Sequence, residues 1–400
     1  MNKSSKKIKY YSFSLLLLIL ILYATFIYKL QEENELALAT EVEKNSAERG
    51  STFKPFDHSF EKGLKNLKKE LIFDKMFQNI LKPTKLEPFH FEMKGLFEPS
   101  DITLTTMITV DRFDILLNCM TIFDGLFSVA LHIAEDSDLS ENLEKLKIFI
   151  SKNREFIETR LDIHLVVDKF PRQLNYLRNV ARFFSRTDLI LPLDVDFMIN
   201  KSFIKHVKSN DFIFGKLLNG EAVFIIPAFE YHGVHINTTY ESFPQEKKDV
   251  IKLFKEEKLM IFHGTDNKGH TSTNYTMWMN TTDPYRIEPN SFSYEPYAIF
   301  NKNTVPWSDE RFIGYGGNKA AWWYEIYLAG LEFWVVPNDF LIHQYHKYDD
   351  SVRLKERHRN VKLFWNFLPE ICNRYRVRLL EHKNEHIDLM GCRPGNNSRF

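Results

Sequence analysis

The central part of the chain alternates between two patterns of hydrophobic residues. Short runs rich in β-branched residues predict strands, and the segments between them carry apolar residues at helical spacing. Because strands that alternate with helices usually form a parallel sheet with both faces covered, the pattern predicts an α/β fold with a mixed, mainly parallel sheet flanked by helices. The predicted strands are 102–110, 126–133, 162–167 and 332–337, and the predicted helices are 111–123, 141–154 and 172–185.

The apolar run 188–193 leads directly into Asp194-Val195-Asp196. Ligands in open α/β sheets bind beyond the carboxyl ends of the strands, and the two-residue period of an extended chain sends both carboxylates to the same side. Two oxygen donors there suit Mn²⁺ or Mg²⁺, with phosphate oxygens completing the coordination. The sequence therefore predicts a metal site for a phosphate compound, with a solvated turn as the alternative. Pro192 predicts that the strand lies at an edge or carries a bulge.

A glycine-rich segment, 309–319, precedes a predicted helix that contains several aromatic residues. Gly314 and Gly316 would let the backbone approach a ligand closely, and Lys319 would meet a phosphate. The alternative is a tight turn in front of a core helix.

Two histidines, His343 and His346, follow the predicted strand 332–337. A histidine just after a strand can supply a nitrogen ligand to a metal that carboxylates already hold. We therefore predict His343 as the third metal ligand, with His346 or a purely structural histidine as the alternatives. Upstream, residues 263–278 mix hydrogen-bonding and aromatic groups in the way that sugar-binding clefts do.

The first 30 residues differ from the rest of the chain. Four lysines precede residue 10 and residues 10–28 contain no charged side chain, which predicts a membrane-spanning helix with its N-terminus in the cytosol. A signal peptide cleaved near residues 37–39 is the alternative, and a helical cap is the alternative for the stem. The predicted division is a cytosolic tail at 1–9, a transmembrane signal-anchor at 10–30, a stem at 31–100 and a lumenal catalytic domain at 101–400.

The composition limits the kinds of partner and the cellular compartment that the chain is expected to have. With 53 basic and 53 acidic residues the formal net charge is zero, so the sequence predicts no nucleic-acid partner. An oxidising lumen permits one disulfide, and Cys372 with Cys392 is favoured because Cys119 lies in an apolar helical pattern. Glycosylation sequons occur at Asn237, Asn274, Asn280 and Asn396.

Five segments of the chain stand out together and in order. They are Leu177-Arg178-Asn179-Val180-Ala181-Arg182 with Asp194-Val195-Asp196-Phe197, Ile226-Pro227-Ala228-Phe229-Glu230, Thr273-Asn274-Tyr275 with Trp278, Asp309-Glu310-Arg311-Phe312-Ile313-Gly314-Tyr315-Gly316 with Asn318-Lys319, and Pro337-Asn338 with Ile342-His343 and His346. These segments resemble motifs of glycosyltransferase family 49, and the resemblance covers residues 102 to 375. The chain departs from the family at Gly317, where Trp is usual, and at Gln344-Tyr345, where Met-Pro is usual.

The resemblance implies a GT-A fold of the Rossmann-like type, a UDP-sugar donor, Mn²⁺ (or Mg²⁺) and inversion at the anomeric carbon. Asp194, Asp196 and His343 would hold the metal, which acts as a Lewis acid on the departing diphosphate. Glu310, or less favourably Asp309, would take the proton from the acceptor hydroxyl. The residues expected to bind the nucleotide are Arg178, Asn179, Arg182, Asp194, Gly314, Gly316 and Lys319. For those on the 172–185 helix, a salt-bridged surface face is the alternative.

The sequence thus predicts a Golgi-resident, single-pass type II membrane glycosyltransferase. It would transfer a sugar, with glucuronic acid among the candidates, from a UDP-sugar to a glycan or glycoprotein acceptor. Two other functions stay open. A non-catalytic lumenal protein on the same fold would bind sugar nucleotides or glycans without turnover, and a phosphohydrolase would use Asp194 as a nucleophile.

Overall fold

The structure is a computed structural model of the 400-residue chain. It describes residues 83–135, 138–170, 172–232, 242–264, 268–289, 291–345, 350–376 and 392. The predicted tail and transmembrane segment at 1–30, and the predicted stem up to residue 82, lie outside the described residues. None of the helices that the structure describes is both long and apolar enough to cross a bilayer.

Two β-sheets form the framework of the described chain. The strands are β1 (Lys85–Phe91), β2 (Ile102–Ile108), β3 (Leu126–Ala134), β4 (Leu161–Asp168), β5 (Leu189–Pro192), β6 (Phe197–Ile199), β7 (Ala222–Ile226), β8 (Ala228–Tyr231), β9 (Leu259–Ile261), β10 (Tyr285–Ile287), β11 (Tyr297–Asn301), β12 (Glu332–Val335) and β13 (Leu341–His343). The larger sheet has the order β1-β4-β3-β2-β5-β11-β7-β12-β10, and the smaller has the order β6-β13-β8-β9.

Helices cover both faces of the larger sheet, as the sequence predicts. They are α1 (Phe113–Ile122), α2 (Leu139–Ile157), α3 (Leu174–Phe183), α4 (Phe203–Ser209), α5 (Asp211–Asn219), α6 (Lys247–Lys255), α7 (Tyr275–Asn280), α8 (Asn318–Leu328) and α9 (Asp350–Arg374). Val129 of β3 packs in one core cluster with Phe113 of α1 and Leu146 of α2. The next residue, Ala130, packs on the other face with Val180 of α3. This alternation follows from the two-residue period of a strand.

The predicted elements of the central region are confirmed, with ends that differ by a few residues. The helix predicted at 141–154 begins earlier, because Asp138 caps α2 by accepting a hydrogen bond from the Glu141 backbone N–H at 2.9 Å. Apolar spacing marks the buried face of a helix, but it does not mark the polar residues of its first turn.

The larger sheet is less parallel than the sequence predicts. Strands β4, β3, β2 and β5 form a parallel block, and β7 pairs with β12 in parallel. Strand β11, however, is antiparallel to both β5 and β7, and the outer strands β1 and β10 are antiparallel to their neighbours. Hydrophobic periodicity identifies strands but carries no information on their pairing, so the sequence does not show that four of the eight strand pairs in this sheet are antiparallel.

The expectation for Pro192 is wrong. Strand β5 lies between β2 and β11, inside the sheet, and Pro192 is its last residue. On the β2 side the next residue, Leu193, donates its backbone N–H to Thr105 O at 3.0 Å. On the other side β11 pairs only with Leu189 and Ile190. Pro192 has no backbone N–H to donate, but its position lies beyond the last pair of β5 with β11. No hydrogen bond between these strands is therefore lost.

Strand β1 lies within the range that the sequence assigns to a stem, where no strand is predicted. It pairs antiparallel with β4, from Lys85 opposite Val167 to Phe91 opposite Ile163, with an irregularity between. Its sequence, KLEPFHF, mixes charged and apolar residues because most of the strand is only half-buried. The last part of the predicted stem is therefore an edge of the larger sheet.

The cysteine predictions are confirmed. Cys372 in α9 forms a disulfide with Cys392, which ties this helix to the segment that follows it. Cys119 of α1 is buried and unpaired with another cysteine, and burial raises the pKa of its thiol to about 12.

The glycine-rich segment contacts helix α9. Gly314 has a φ of +81°, and a Cβ added to it would lie 2.4 Å from Cδ of Glu356. The same Glu356 carboxylate accepts hydrogen bonds from the backbone N–H of Tyr315 at 2.8 Å and from Arg172 Nε at 3.0 Å. Gly314 also donates its N–H to Arg172 O at 2.8 Å. Close approach by a helix, and not by a ligand, is thus what requires glycine here.

We predict that Gly314→Ala lowers the free energy of unfolding by about 2 kcal/mol or more, because alanine is strained at positive φ and its Cβ displaces Glu356. Gly215 in α5 is the matched control, since a Cβ there meets nothing within 4 Å. Gly215→Ala should raise stability by about 0.5–1 kcal/mol through helix propensity. Urea unfolding of both variants measures the difference, and equal effects would contradict this account of the loop.

Candidate active site

The two aspartates lie where the chain passes from the larger sheet to the smaller one. After β5 ends at Pro192, residues 193–196 form a turn in which Phe197 donates its backbone N–H to Asp194 O at 3.1 Å. Val195 is buried, and β6 begins at Phe197. The segment is a turn and not an extended strand, yet both carboxylates line the same cleft. The two carboxylates face the same cleft because of the turn between the sheets, and not because of the period of an extended strand.

Strand β13 places a histidine beside these aspartates. It runs antiparallel to β6 with His343 opposite Phe197, and Gln344 donates its backbone N–H to Asp196 O at 2.8 Å. His343 Nε2 consequently lies 3.5 Å from Asp196 Oδ2. The ring is 3% exposed and packs against Phe197 and Phe262, so its position is fixed by the core. The structure thus brings Asp196 and His343 together, and Asp194 lines the same cleft as Asp196.

Asp194 is surrounded by groups that favour its charged form. Its Oδ2 accepts hydrogen bonds from Lys319 Nζ at 2.5 Å and from the Tyr297 hydroxyl at 2.8 Å, and its Oδ1 lies 3.6 Å from Arg178 Nη2. Burial opposes ionisation of the carboxyl, but Lys319 and Arg178 outweigh it and hold the pKa of Asp194 below its ordinary value. The carboxylate is therefore negative and lies between two cations.

The donor set fits a divalent cation that takes further ligands from a substrate. Among the described residues, no group of three or more His, Cys, Asp and Glu side chains could hold a metal ion by itself. The 3.5 Å between Asp196 Oδ2 and His343 Nε2 is close to the roughly 3 Å that separates neighbouring ligands of one small cation. On the other side of the ring, Glu230 Oε2 lies 3.9 Å from His343 Nδ1. A carboxylate on that side of a histidine is a common support for metal ligation.

The cleft that these residues line has a volume of about 360 Å³, which is in the range of sites for small ligands. Five cationic side chains line it against three carboxylates, which leaves an excess of two positive charges. An anionic ligand is therefore favoured. The cations are Arg112, Arg172, Arg178, Lys319 and Arg353, and the carboxylates are Asp194, Asp196 and Glu295.

One wall of the cleft contains residues that the sequence analysis missed. His132 lies near the carboxyl end of β3, and its Nε2 is 3.1 Å from Oδ1 of Asp168, the last residue of β4. Asp168 is fully buried and also accepts a hydrogen bond from Gln173 Nε2 at 3.2 Å. The signal was available, because polar residues at the carboxyl ends of adjacent parallel strands are expected to face a common ligand site.

Comparison with known proteins agrees with this geometry. The family model Glyco_transf_49, described as "Glycosyl-transferase for dystroglycan", matches residues 168–376. This range covers more than half of the chain and includes both aspartates and His343. The chain belongs to glycosyltransferase family 49. The resemblance seen in the sequence is confirmed.

The matches to curated relatives are longer than the match to the family model. The chain is 29% identical over 269 residues to human "Xylosyl- and glucuronyltransferase LARGE1", which covers 66% of this chain and 34% of that protein. It is 30% identical over 283 residues to "Glycosyltransferase-like protein gnt14" of Dictyostelium discoideum, covering 68% of this chain and 42% of that protein. The chain therefore spans about a third of the length of LARGE1 and less than half of gnt14.

Solved structures are more distant. GalNAc-T7, crystallised with UDP, GalNAc and Mn²⁺, is 12% identical, with a TM-score of 0.41 over 62% of this chain and 44% of that one. The S. aureus protein TarS with UDP-GlcNAc is 14% identical, with a TM-score of 0.36 over 71% of this chain and 68% of that one.

Two predicted nucleotide-binding residues of this family 49 chain point away from the cleft. Asn179 donates to Ser308 O at 2.8 Å and to Glu310 Oε1 at 2.7 Å. Arg182 is buried and donates to the carbonyls of residues 302, 305 and 306, while its guanidinium lies 4.1 Å from the ring centre of Trp307. Both side chains hold the loop before the glycine-rich segment, because only the first part of α3, at Leu174, Leu177 and Arg178, lines the cleft.

The predicted bases Asp309 and Glu310 are also absent from the cleft lining. Asp309 is ion-paired with Arg311, whose Nη2 lies 2.6 Å from Oδ2. Glu310 lies on the Asn179 side of α3, and burial raises the pKa of its carboxyl to about 7. Its role as a base stays a prediction that the position of the side chain does not favour.

Further parts of the prediction have separate outcomes. Gly314 and Gly316 contact α9, and their neighbours Tyr315 and Asn318 line the cleft instead. In the 263–278 segment Tyr275 and Trp278 are buried core residues, so these aromatic rings do not line a sugar-binding cleft. His346 lies outside the described residues.

Arg178 and Arg182 lie one helical turn apart in α3 and have different roles. Arg182 stabilises the fold, and Arg178 contributes charge to the cleft. We predict that Arg182→Ala costs about 3 kcal/mol or more, because it leaves three buried carbonyls without their donor. Arg178→Ala should cost about 1 kcal/mol, because Lys319 still neutralises Asp194. Thermal and urea unfolding of both variants measures the difference. A larger loss for Arg178→Ala would contradict the assignment of Arg178 to the cleft and of Arg182 to the fold.

Proposed function

We propose that this chain transfers a sugar from a UDP-sugar to a hydroxyl of a glycan or glycoprotein, in a metal-dependent reaction with inversion. The observation that supports the proposal is the pairing of Asp196 with His343, together with the place of both aspartates in a cationic cleft. Family membership supports the reaction class. A GT-A arrangement, in which a nucleotide-sugar lies across the carboxyl ends of the parallel strands, is part of the proposal.

The donor diphosphate would lie beside Asp194 and Asp196. Lys319 and Arg178 are the nearest cations to this point, and both line the cleft. The nucleoside would extend along the ends of β2 and β3, toward Thr109, Leu177 and His132. Charged groups thus lie at one part of the cleft, and apolar and hydrogen-bonding groups suited to a base lie at the other.

Mn²⁺, or Mg²⁺, would be held by Asp194, Asp196 and His343. A cation in this position neutralises negative charge on the departing diphosphate and so acts as a Lewis acid. Lys319 contributes a fixed positive charge from the protein at the same place, because it is anchored on Asp194 and on the Tyr297 hydroxyl at 2.7 Å. Arg178 adds a second charge from α3.

The donor sugar belongs to the same proposal. The printed name of the human relative gives xylosyl and glucuronyl transfer for that protein. UDP-glucuronic acid and UDP-xylose are therefore the first donors to test. The excess positive charge of the cleft is compatible with either, because both carry a diphosphate.

The Golgi lumen is the proposed compartment, with the chain as a type II protein anchored by residues 10–30. The lysines before that segment and the lack of charge within it support this orientation. The Cys372–Cys392 disulfide adds support, because disulfides persist in oxidising compartments.

The central test is UDP release by the purified lumenal fragment with a panel of UDP-sugars, with and without chelator. We predict that chelation abolishes release, and that Asp196→Asn and His343→Ala each lower it by about 100-fold or more while the fold is kept. Asp188→Asn is the matched control. Asp188 stands just before β5, at the opposite end of the strand from the cleft, and its carboxylate accepts a hydrogen bond from Asn303 at 2.8 Å.

Asp188→Asn should keep activity within about threefold of wild type. Full activity of Asp196→Asn, or release that is indifferent to chelator, would contradict the metal assignment. Tight binding of UDP-sugars without turnover of any would select the non-catalytic alternative. Phosphate release from simple phosphate esters would select a phosphohydrolase.

A further inference from the structure

Glu295 is a cleft carboxylate that the motifs of the sequence do not include. It stands two residues before β11, and it lines the cleft together with Asp194 and Lys319. Its backbone N–H donates to Gly269 O at 2.7 Å. The backbone of Glu295 is therefore held in place at the cleft.

The charges around Glu295 are mixed. Burial disfavours its ionised form and outweighs the attraction of Lys319 and Arg178, so the pKa of the carboxyl lies above its ordinary value. A carboxylate of raised pKa accepts a proton more readily than an ordinary one. Among the described residues no cation lies within ion-pairing distance of it.

The other carboxylates of the cleft have different partners. Asp194 is bonded to Lys319 and Tyr297, and Asp196 lies against His343. Both belong to the site proposed for the cation and the diphosphate, and a group that holds the leaving group cannot also serve the opposite face of the sugar. Glu295 is the third and last carboxylate in the described lining of the cleft.

Glu310 has a raised pKa as well, so the pKa does not distinguish Glu310 from Glu295. The two glutamates differ in their position relative to the cleft. Glu310 accepts its hydrogen bond from Asn179, on the side of α3 that faces the 302–310 loop, and it is not part of the cleft lining. A general base must come within hydrogen-bonding reach of the proton that it removes.

We propose that Glu295 is the general base that activates the acceptor hydroxyl. This inference rests on the function proposed above. The hydroxyl proton passes to the Glu295 carboxylate as the acceptor oxygen forms its bond to the anomeric carbon. The bond from that carbon to the β-phosphate oxygen breaks, and its electron pair leaves with UDP. Glu295 then returns the proton to solvent, so one proton and one UDP are released per sugar transferred.

Glu295→Gln is a conservative test, because Gln keeps the size of the side chain and an acceptor oxygen but can no longer take a proton. Asp188→Asn is again the matched control, since Asp188 lies at the opposite end of β5 from the cleft. Thermal unfolding of both variants shows whether they fold. UDP affinity with Mn²⁺, measured by calorimetry, shows whether the donor site is kept.

The activity measured is UDP release from the panel donor that the wild type turns over fastest, with water and with p-nitrophenyl β-xyloside as acceptors. We expect Glu295→Gln to lose about 100-fold or more in turnover with UDP affinity within about threefold of wild type, and Asp188→Asn to stay within about threefold in both. Glu295→Asp, which keeps the carboxylate but shortens it, should recover part of the activity.

Turnover by Glu295→Gln within about threefold of wild type would overturn the assignment. So would a loss of UDP affinity in parallel with activity, because that result shows a binding or structural role. Failure of the wild type to release UDP from any donor would instead reject the proposed function and this inference with it. The two failures are distinguished because only the second occurs in the wild type.

Discussion

The site depends on the point where the chain crosses from one sheet to the other. Strand β5 ends the parallel block of the larger sheet, and β6 begins the smaller sheet one turn later. Asp194 and Asp196 occupy that turn, and β13 can bring His343 to them only because it is paired with β6 in one register. A shift of one residue would turn the imidazole to the opposite face of the small sheet. The metal-site geometry is therefore a consequence of strand pairing.

Charge in the cleft is arranged around the same turn. Lys319 at the start of α8 and Arg178 on α3 converge on Asp194 from separate elements. Helix α9 holds the segment before α8 in place through the Glu356 carboxylate and its bonds to Arg172 and Tyr315. The elements that form the cationic wall are thus packed against one another, and they can present their charges to a diphosphate without rearrangement.

The sequence predicts the alternation of strands and helices, the strand before the aspartates and the proximity of His343, because periodicity and strand ends carry these features. It does not predict which part of a helix lines the cleft. Arg178 faces it and Arg182 does not, although both belong to one motif. Strand β1 was missed because a half-buried edge strand lacks clear alternation. Glu295 was missed because its place depends on contacts with residues distant in the chain.

The claim that a cation at Asp196 and His343 joins the protein to a diphosphate is tested most directly by calorimetric titration of UDP into the purified lumenal fragment. The account predicts that Mn²⁺ tightens UDP binding by about 10-fold or more over the same titration in EDTA, and that His343→Ala removes most of this gain. Equal UDP affinity with and without the metal would contradict it.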